Sequence, residues 1–279
     1  MDKVKLNSHA KINFGLNIVS KRPDGYHNIE TIFYPIQLHD EIIIKKSDKF
    51  SFNSNYKNLT AEEDNLVIKA KKLLEKHINK TSPVEIFLKK NIPVGAGLGG
   101  GSSNAASTLL ALNKLFNLNL PVSELFNLAV QIGSDVPFFL DPKPKFAKGK
   151  GEVLTPLNFK IKSPVLIINP GINISTPWAY SKIVPKEPVN SLNMIINKKV
   201  KDFSKLIGIV TNDFEEIVFK EHTDIKKIKK DLYKLRADFA LMTGSGSTLF
   251  GIFPDLEKAI KAEKYFSNKY FTFIHHEVR

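Results

Sequence analysis

The sequence predicts an α+β fold in two domains, and three observations carry that prediction. Stretches with a two-residue hydrophobic period alternate along the chain with stretches of helical period. A run dense in glycine, Gly95-Ala96-Gly97-Leu98-Gly99-Gly100-Gly101, joins one strand to one helix. The pattern then shifts near residue 161, which divides the chain into domains 1–161 and 162–279. At 279 residues the chain is long enough for one large core or two modest ones.

In chain order, residues 10–18 place Ile12, Phe14, Leu16 and Ile18 on one face and Lys11, Asn13, Gly15 and Asn17 on the other. This predicts a half-buried strand whose second face sets a cation, an amide and a glycine in a row. Ser20-Lys21-Arg22-Pro23-Asp24-Gly25 is a turn. Two strands follow, over 29–36 and 41–46. Asp64 is the expected cap of a helix over 65–78, with Leu66, Ala70, Leu73, Leu74 and Ile78 inward. A strand over 84–88 leads to the glycine run. The helix after it reads from Ala105, Ala106, Leu109, Leu110, Leu112 and Leu115, and the next covers 122–132 and stops at Gly133. Ser134-Asp135-Val136-Pro137-Phe138-Phe139 passes from polar to apolar. A strand and turn follow at 146–151, a buried strand at 165–168, and helical segments within 176–235. Strands at 239–242 and 249–253 flank the small-residue turn Thr243-Gly244-Ser245-Gly246-Ser247-Thr248. A helix over 255–266 and a strand over 270–275 close the chain, with the adjacent His275 and His276 expected at the surface.

Composition excludes several chemistries. There is no cysteine, hence no disulfide, thiol nucleophile or Cys-ligated zinc. No apolar run approaches the roughly 20 residues of a membrane span. The opening Met1-Asp2-Lys3-Val4-Lys5 lacks a long apolar stretch, so no secretory signal is expected and the expected location is cytoplasmic. A net charge of +13 raises the possibility of nucleic-acid binding. Against it, only Arg22, Arg236 and Arg279 of the 41 basic residues are arginines, and lysines are spread along the chain. The densest run, Lys226-Lys227-Ile228-Lys229-Lys230, reads as the solvated face of a helix. An attraction for anionic substrates is the better reading of the charge.

The glycine run is built to hold phosphate. Glycines let a backbone approach an anion, and the following helix aims its N–H groups and positive dipole end at the same point. Gly95-Ala96-Gly97-Leu98-Gly99-Gly100 satisfies the spacing GxGxxG, yet Lys89-Lys90-Asn91-Ile92-Pro93 separates it from the strand. The acid that a dinucleotide site carries about 20 residues on is also missing, since Leu120 stands there. No lysine follows the last glycine, so it is not a P-loop either.

The run from Pro93 through Gly95, Gly97, Leu98, Gly99, Gly100, Gly101, Ser102 and Ser103 resembles the phosphate loop of the GHMP kinases. Ala10-Lys11-Ile12-Asn13, Arg22-Pro23-Asp24-Gly25-Tyr26-His27, Gly133-Ser134-Asp135-Val136-Pro137-Phe138 and Thr243-Gly244-Ser245-Gly246 resemble further motifs of the family, in the family's order. The Pro-Asp-Gly-Tyr-His segment resembles the branch that phosphorylates the 2-hydroxyl of a cytidyl-diphosphate methylerythritol, in the non-mevalonate route to isoprenoid precursors. The resemblance implies an amino-terminal domain like the second domain of ribosomal protein S5 and a ferredoxin-like carboxy-terminal domain.

It also implies roles. Asp135 would take the proton of the substrate hydroxyl, and Lys11 would steady that carboxylate and the developing alkoxide. Read locally, Asp135 is more readily an N-cap or turn residue and Lys11 a solvent-facing strand lysine, and it is the resemblance that favours the catalytic roles. Pro93, Gly95 and residues 97–103 would wrap the phosphates of ATP, with a serine hydroxyl reaching Mg²⁺, and Asn65 would lie at the adenine. Tyr26 and His27 would meet the cytosine, and Tyr180, in Thr176-Pro177-Trp178-Ala179-Tyr180, would stack on it, with Trp178 as its competitor. Asn13 would contact the methylerythritol, and Thr176, Lys148 and Gly244 would complete the substrate side. No protein ligand for Mg²⁺ is apparent, since Glu124 has no supporting motif. The expected partners are this small molecule, with neither nucleic acid nor membrane, and the expected state is a monomer or homodimer. The rival functions are a homoserine, mevalonate or sugar kinase of the same family and, in another class, a basic nucleic-acid-binding protein.

Overall fold

The computed structural model describes residues 2–62, 64–195, 200 and 202–276. Its contacts divide the chain into two interleaved units. The first contains Met1–Ala10, Leu38–Val94 and Gly99–Pro142, and the second Lys11–Gln37, Gly95–Leu98 and Lys143–Arg279. Two long paired strands, β1 (Lys3–Lys21) and β2 (His27–Lys46), each contribute residues to both units.

In the first unit, β4 (Val84–Lys89) runs antiparallel to the end of β2, with Glu41 opposite Lys89 and Lys46 opposite Val84. The short β3 (Ser51–Ser54) lies parallel to β4. The alternation of β4 puts Val84, Ile86 and Leu88 in the core. Helices α1 (Leu66–Ile78), α2 (Gly100–Leu115) and α3 (Val122–Ile132) pack on one another, and α2 also meets a 3₁₀ helix, Val136–Leu140. Asn65, not Asp64, caps α1: its Oδ1 accepts from the Val67 N–H at 3.0 Å, a bond worth about 1 kcal/mol.

In the second unit, β5 (Lys145–Lys148) pairs with β2 around Ile32 and Phe146, and β6 (Val153–Pro156) pairs with β5. A second, fully antiparallel sheet has the order β10 (Phe271–His275), β7 (Val165–Asn169), β9 (Leu249–Ile252), β8 (Phe239–Met242). Helices α4 (Thr176–Lys182), α5 (Phe214–Glu221), α6 (Thr223–Lys234) and α7 (Leu256–Phe266) accompany it. One core joins Leu16, Ile18 and Ile29 to Leu166, Ile168, Phe214, Leu232, Met242 and Phe266.

Four further expectations are corrected. The strands at 29–36 and 41–46 are one strand, β2. Strand β1 is buried on both faces over residues 10–18, with the polar side chains of Lys11 and Asn13 hydrogen-bonded on the second face. Helix α2 begins at Gly100, so Ser102 and Ser103 belong to its first turn. His275 is buried, with Nδ1 accepting from the Gln37 N–H at 3.2 Å. The lysine run falls on α6, with Lys226, Lys227 and Lys230 exposed and Lys229 bound to Glu215 at 2.6 Å.

Candidate active site

The expected site residues fall into two groups, one in each unit. In the first unit, Gly99 is the N-cap of the 16-residue α2, and no side chain caps that terminus. The first turn holds no acid. Its dipole and N–H groups are thus left to whatever anion approaches. Ser102 is half-exposed, whereas Ser103 is buried. Asn65 is occupied at both polar ends, since Nδ2 also donates to the Thr60 carbonyl at 2.8 Å. Asp135 is the half-buried N-cap residue of the 3₁₀ helix, and its carboxylate makes no capping bond. Glu124 lies 2.8 Å from the His77 Nε2.

In the second unit, the polar face of β1 is organised about Asn13. The Lys11 Nζ donates to Asn13 Oδ1 at 2.5 Å and lies 4.8 Å from the centre of the Phe33 ring. Asn13 Nδ2 donates to Thr31 Oγ1 at 2.9 Å, and its backbone N–H donates to Thr243 Oγ1 at 2.8 Å. The glycine loop and the second glycine turn meet closely here. A Cβ on Gly97 would stand 2.6 Å from the Thr243 carbonyl oxygen, and one on Gly244 would stand 3.1 Å from that of Gly97. Both glycines have positive φ, +74° and +59°, so side chains are excluded by space and by conformation. The Lys11 N–H donates to the Leu98 carbonyl at 3.0 Å, which fixes the loop to β1.

The turn before β2 is internally braced. Arg22 holds Asp24 through Nε and Nη2, each at 3.1 Å, and Asn28 through Nη1 at 3.0 Å. The Arg22 guanidinium, helped by the Tyr26 N–H, lowers the Asp24 pKa below the usual carboxylate value. This leaves Tyr26 exposed, with the Lys150 Nζ 4.5 Å above its ring. His27 is buried, and its imidazole stacks on Tyr180 with centroids 5.0 Å apart and planes at 26°. Burial, reinforced by the Lys21 charge, lowers the His27 pKa below 6.5. Tyr180 also stands edge-on to Phe214, while the Trp178 ring meets His222 instead. Thr176 Oγ1 is 2.9 Å from Ser245 Oγ, and the Lys148 Nζ is 3.6 Å from Glu30.

The chain matches the family models of the GHMP kinases N terminal domain over residues 65–141 and of the GHMP kinases C terminal over residues 195–272. It is 43% identical over 261 residues to the 4-diphosphocytidyl-2-C-methyl-D-erythritol kinase of Bacteroides fragilis, covering 91% of this chain and 94% of that one. The chain belongs to the GHMP kinases. The relative of the same name from Parabacteroides distasonis is 45% identical over 247 residues, covering 88% of this chain and 90% of that one. Among solved structures, a 4-(cytidine 5'-diphospho)-2C-methyl-D-erythritol kinase superposes with a TM-score of 0.82 at 30% identity, over 98% of both chains. A homoserine kinase from Cytophaga hutchinsonii, at 18% identity and a TM-score of 0.70 over 99% of this chain and 94% of that one, shares the fold.

This GHMP kinase also contains supporting residues that its motifs do not reveal. Asn212 donates through Nδ2 to the carbonyls of Met242 and Gly244, at 2.7 and 2.8 Å, and so holds the second glycine turn. Thr31 receives Asn13 and itself donates to the Gly15 carbonyl at 2.6 Å. A polar residue in the apolar register of a strand is the one sequence signal for Thr31. Asn212 has only its place two residues ahead of a helix.

Proposed function

We propose that this chain transfers the γ-phosphoryl group of ATP to the 2-hydroxyl of 4-diphosphocytidyl-2-C-methyl-D-erythritol, giving the 2-phosphate and ADP, a step of the non-mevalonate route to isoprenoid precursors. The observation that carries the reading of specificity is the stacked pair His27 and Tyr180 beside the braced Arg22–Asp24 turn. A neutral imidazole and a phenol ring offer a flat base both stacking and hydrogen bonds. At 5.0 Å the two rings touch each other, so a base enters between them only when one ring turns, and otherwise stacks on the outer face of the pair. Mevalonate and homoserine carry no base, so a kinase of either has no cytosine to bind with such a pair.

Phosphoryl transfer is mainly positioning and charge stabilisation. Asp135, half-buried at the start of the 3₁₀ helix, accepts the proton of the attacking hydroxyl. Lys11, aimed by Asn13 and Phe33, offsets the negative charge that develops on the oxygen. Asn13 and Gly244 line the methylerythritol side, and Thr176, Lys148 and Tyr26 the cytidyl-diphosphate side. Residues 93–103 hold the ATP phosphates on loop N–H groups and the uncapped end of α2. Asn65 shapes the adenine side through the backbone it caps. Among the described residues no group of three or more His, Cys, Asp or Glu side chains is arranged to hold a metal ion. Mg²⁺ fits as an ion carried by the ATP phosphates, with the Ser102 hydroxyl within the same turn. The amino-terminal domain 1–161 contains the first family match and domain 162–279 the second. Among the described residues no helix is long and apolar enough to cross a membrane, and we place the enzyme in the cytoplasm as a monomer or homodimer.

The test is ADP release with Mg-ATP and each of four acceptors: the cytidyl compound, mevalonate, homoserine and galactose. Turnover with the cytidyl compound alone is expected. Turnover with one of the others instead would overturn the reading of His27 and Tyr180 while retaining the kinase chemistry.

A further inference from the structure

Strand β2 contains an acid in its inward register. Ile36, Leu38, Asp40, Ile42 and Ile44 succeed one another at a spacing of two, and all are buried, with Asp40 at 0% exposure. A carboxylate survives at such a position only if its lone pairs are met by strong donors. Four donors meet this one, all within the first unit. Oδ1 accepts from the backbone N–H groups of Asn91 and Ile92, at 2.7 and 2.8 Å. Oδ2 accepts from Asn104 Nδ2 at 2.9 Å and from the ammonium of Lys90. Lys90 in turn donates to Asn104 Oδ1 at 3.3 Å, which closes a three-residue ring of polar side chains.

The position of these donors in the chain gives the ring its meaning. Lys90, Asn91 and Ile92 are the last residues before Pro93 and the glycine loop. Asn104 lies in the second turn of α2, just after Ser102 and Ser103. The ring also reaches the helix start, since a Cβ on Gly100 would stand 3.2 Å from the Lys90 Nζ. One buried carboxylate therefore ties down both the segment that enters the loop and the helix that leaves it. Charge-assisted bonds to backbone N–H groups are directional as well as strong, so they set where the loop begins and how α2 is aimed.

We propose that Asp40 is a positioning residue for ATP, which acts through Lys90, Asn91, Ile92 and Asn104 to hold the two ends of the glycine loop at the phosphate-binding geometry. The proposal rests on the reading of that loop as the ATP site. Asp40 touches neither substrate, and its effect is on the ground-state and transition-state grip on ATP rather than on the cytidyl compound.

The experiment compares steady-state kinetics of the wild type with three variants. In Asp40→Asn an amide N–H₂ faces Asn104 Nδ2 and Lys90, so two donors oppose it. KM for Mg-ATP is expected to rise roughly ten- to a hundredfold, as for a misplacement of about 1 Å, with KM for the cytidyl compound within about twofold. The exchanged pair Asp40→Asn with Asn104→Asp restores a donor opposite each acceptor and returns a carboxylate to Lys90, and it is expected to recover most of the ATP KM. Asn104→Ala removes one bond and keeps the buried ion pair, so it reads out the ring even if Asp40→Asn does not fold. A rise of a few-fold, confined to ATP, is expected for it. Unchanged ATP KM in Asn104→Ala and in Asp40→Asn, or equal rises for both substrates with a lowered Tm, would overturn the proposal and leave the ring as general scaffolding. Loss of turnover in the wild type itself would instead count against the kinase reading.

Discussion

Lys11 is a buried cation held by an amide and an aromatic face, with exposure of only 4%. Long rotamer-rich side chains are costly to order, so a lysine fixed in this way is preorganised before any substrate arrives. Asp135 is different, a half-buried acid at the start of a 3₁₀ helix. Asp135→Asn keeps the shape and removes the proposed base. We expect kcat to fall by about 10²–10⁴-fold, with the Kd for ATP, read by calorimetry, unchanged within a factor of about two. His27 offers a pH measurement. Its imidazole stays neutral at pH 7, and an NMR titration is expected to give a midpoint below the ordinary 6.5. The unfolded chain takes up that proton near 6.5 and the native one only at lower pH. The contribution of this group to stability is therefore intact above 6.5 and falls as the pH drops from there through the native midpoint. A midpoint at or above 6.5 would show that the ring is not desolvated against Tyr180.

At the scale of elements, the loop 95–98 is clamped between β1 and the turn after β8. The Lys11 N–H holds Leu98, and Gly97 and Gly244 press backbone on backbone. The segment ahead of α5 braces the same turn through Asn212, on the Met242 and Gly244 carbonyls, and holds β1 through the Asp213 carboxylate, which accepts from the Ile18 N–H at 2.7 Å. Burial of Asp213 and Glu215 raises both of their pKa values above the usual carboxylate range. Gly97→Ala tests the close approach. It adds a Cβ 2.6 Å from the Thr243 oxygen at a φ of +74°, whereas Gly208→Ala adds one at +78° into open space. Urea unfolding is expected to show roughly 1–2 kcal/mol lost in Gly208→Ala, from the left-handed backbone alone. A larger loss is expected in Gly97→Ala, with a raised KM for ATP. Equal losses would mean that the contact can relax.

For the whole molecule, the decisive quantity is charge. With 41 basic against 28 acidic residues the protein carries +13, and its proposed substrates are polyanions. Such a field concentrates anions near the surface and is screened over about 8–10 Å at physiological salt. Raising KCl from about 0.05 to about 0.3 M is expected to lower kcat/KM for both substrates several-fold while leaving kcat nearly constant. A salt-independent kcat/KM would confine recognition to short-range contacts within the site.

The glycine loop, the Pro-Asp-Gly-Tyr-His turn and the order of most elements were legible in the sequence, because turn chemistry and hydrophobic period are local properties. The strand β4, the helices α3 and α7 and the strands around Thr243 all lie close to where periodicity puts them. Burial of the polar face of β1 was not legible, since alternation reports one apolar face and is silent about what covers the other. Nor was the choice of Tyr180 over Trp178 as the partner of His27, because both rings lie on the seven-residue α4 and only packing against Phe214 and His222 separates them. The start of α2 at Gly100 ran against the low helix propensity of glycine, which tertiary packing overrides. The sequence by itself determined the family, and its motifs supplied the proposed loop chemistry, acid and cation. Only the tertiary structure decided which distant residues support them, such as Asp40, Thr31 and Asn212, because hydrogen bonds between residues far apart in the chain leave no periodic trace in it.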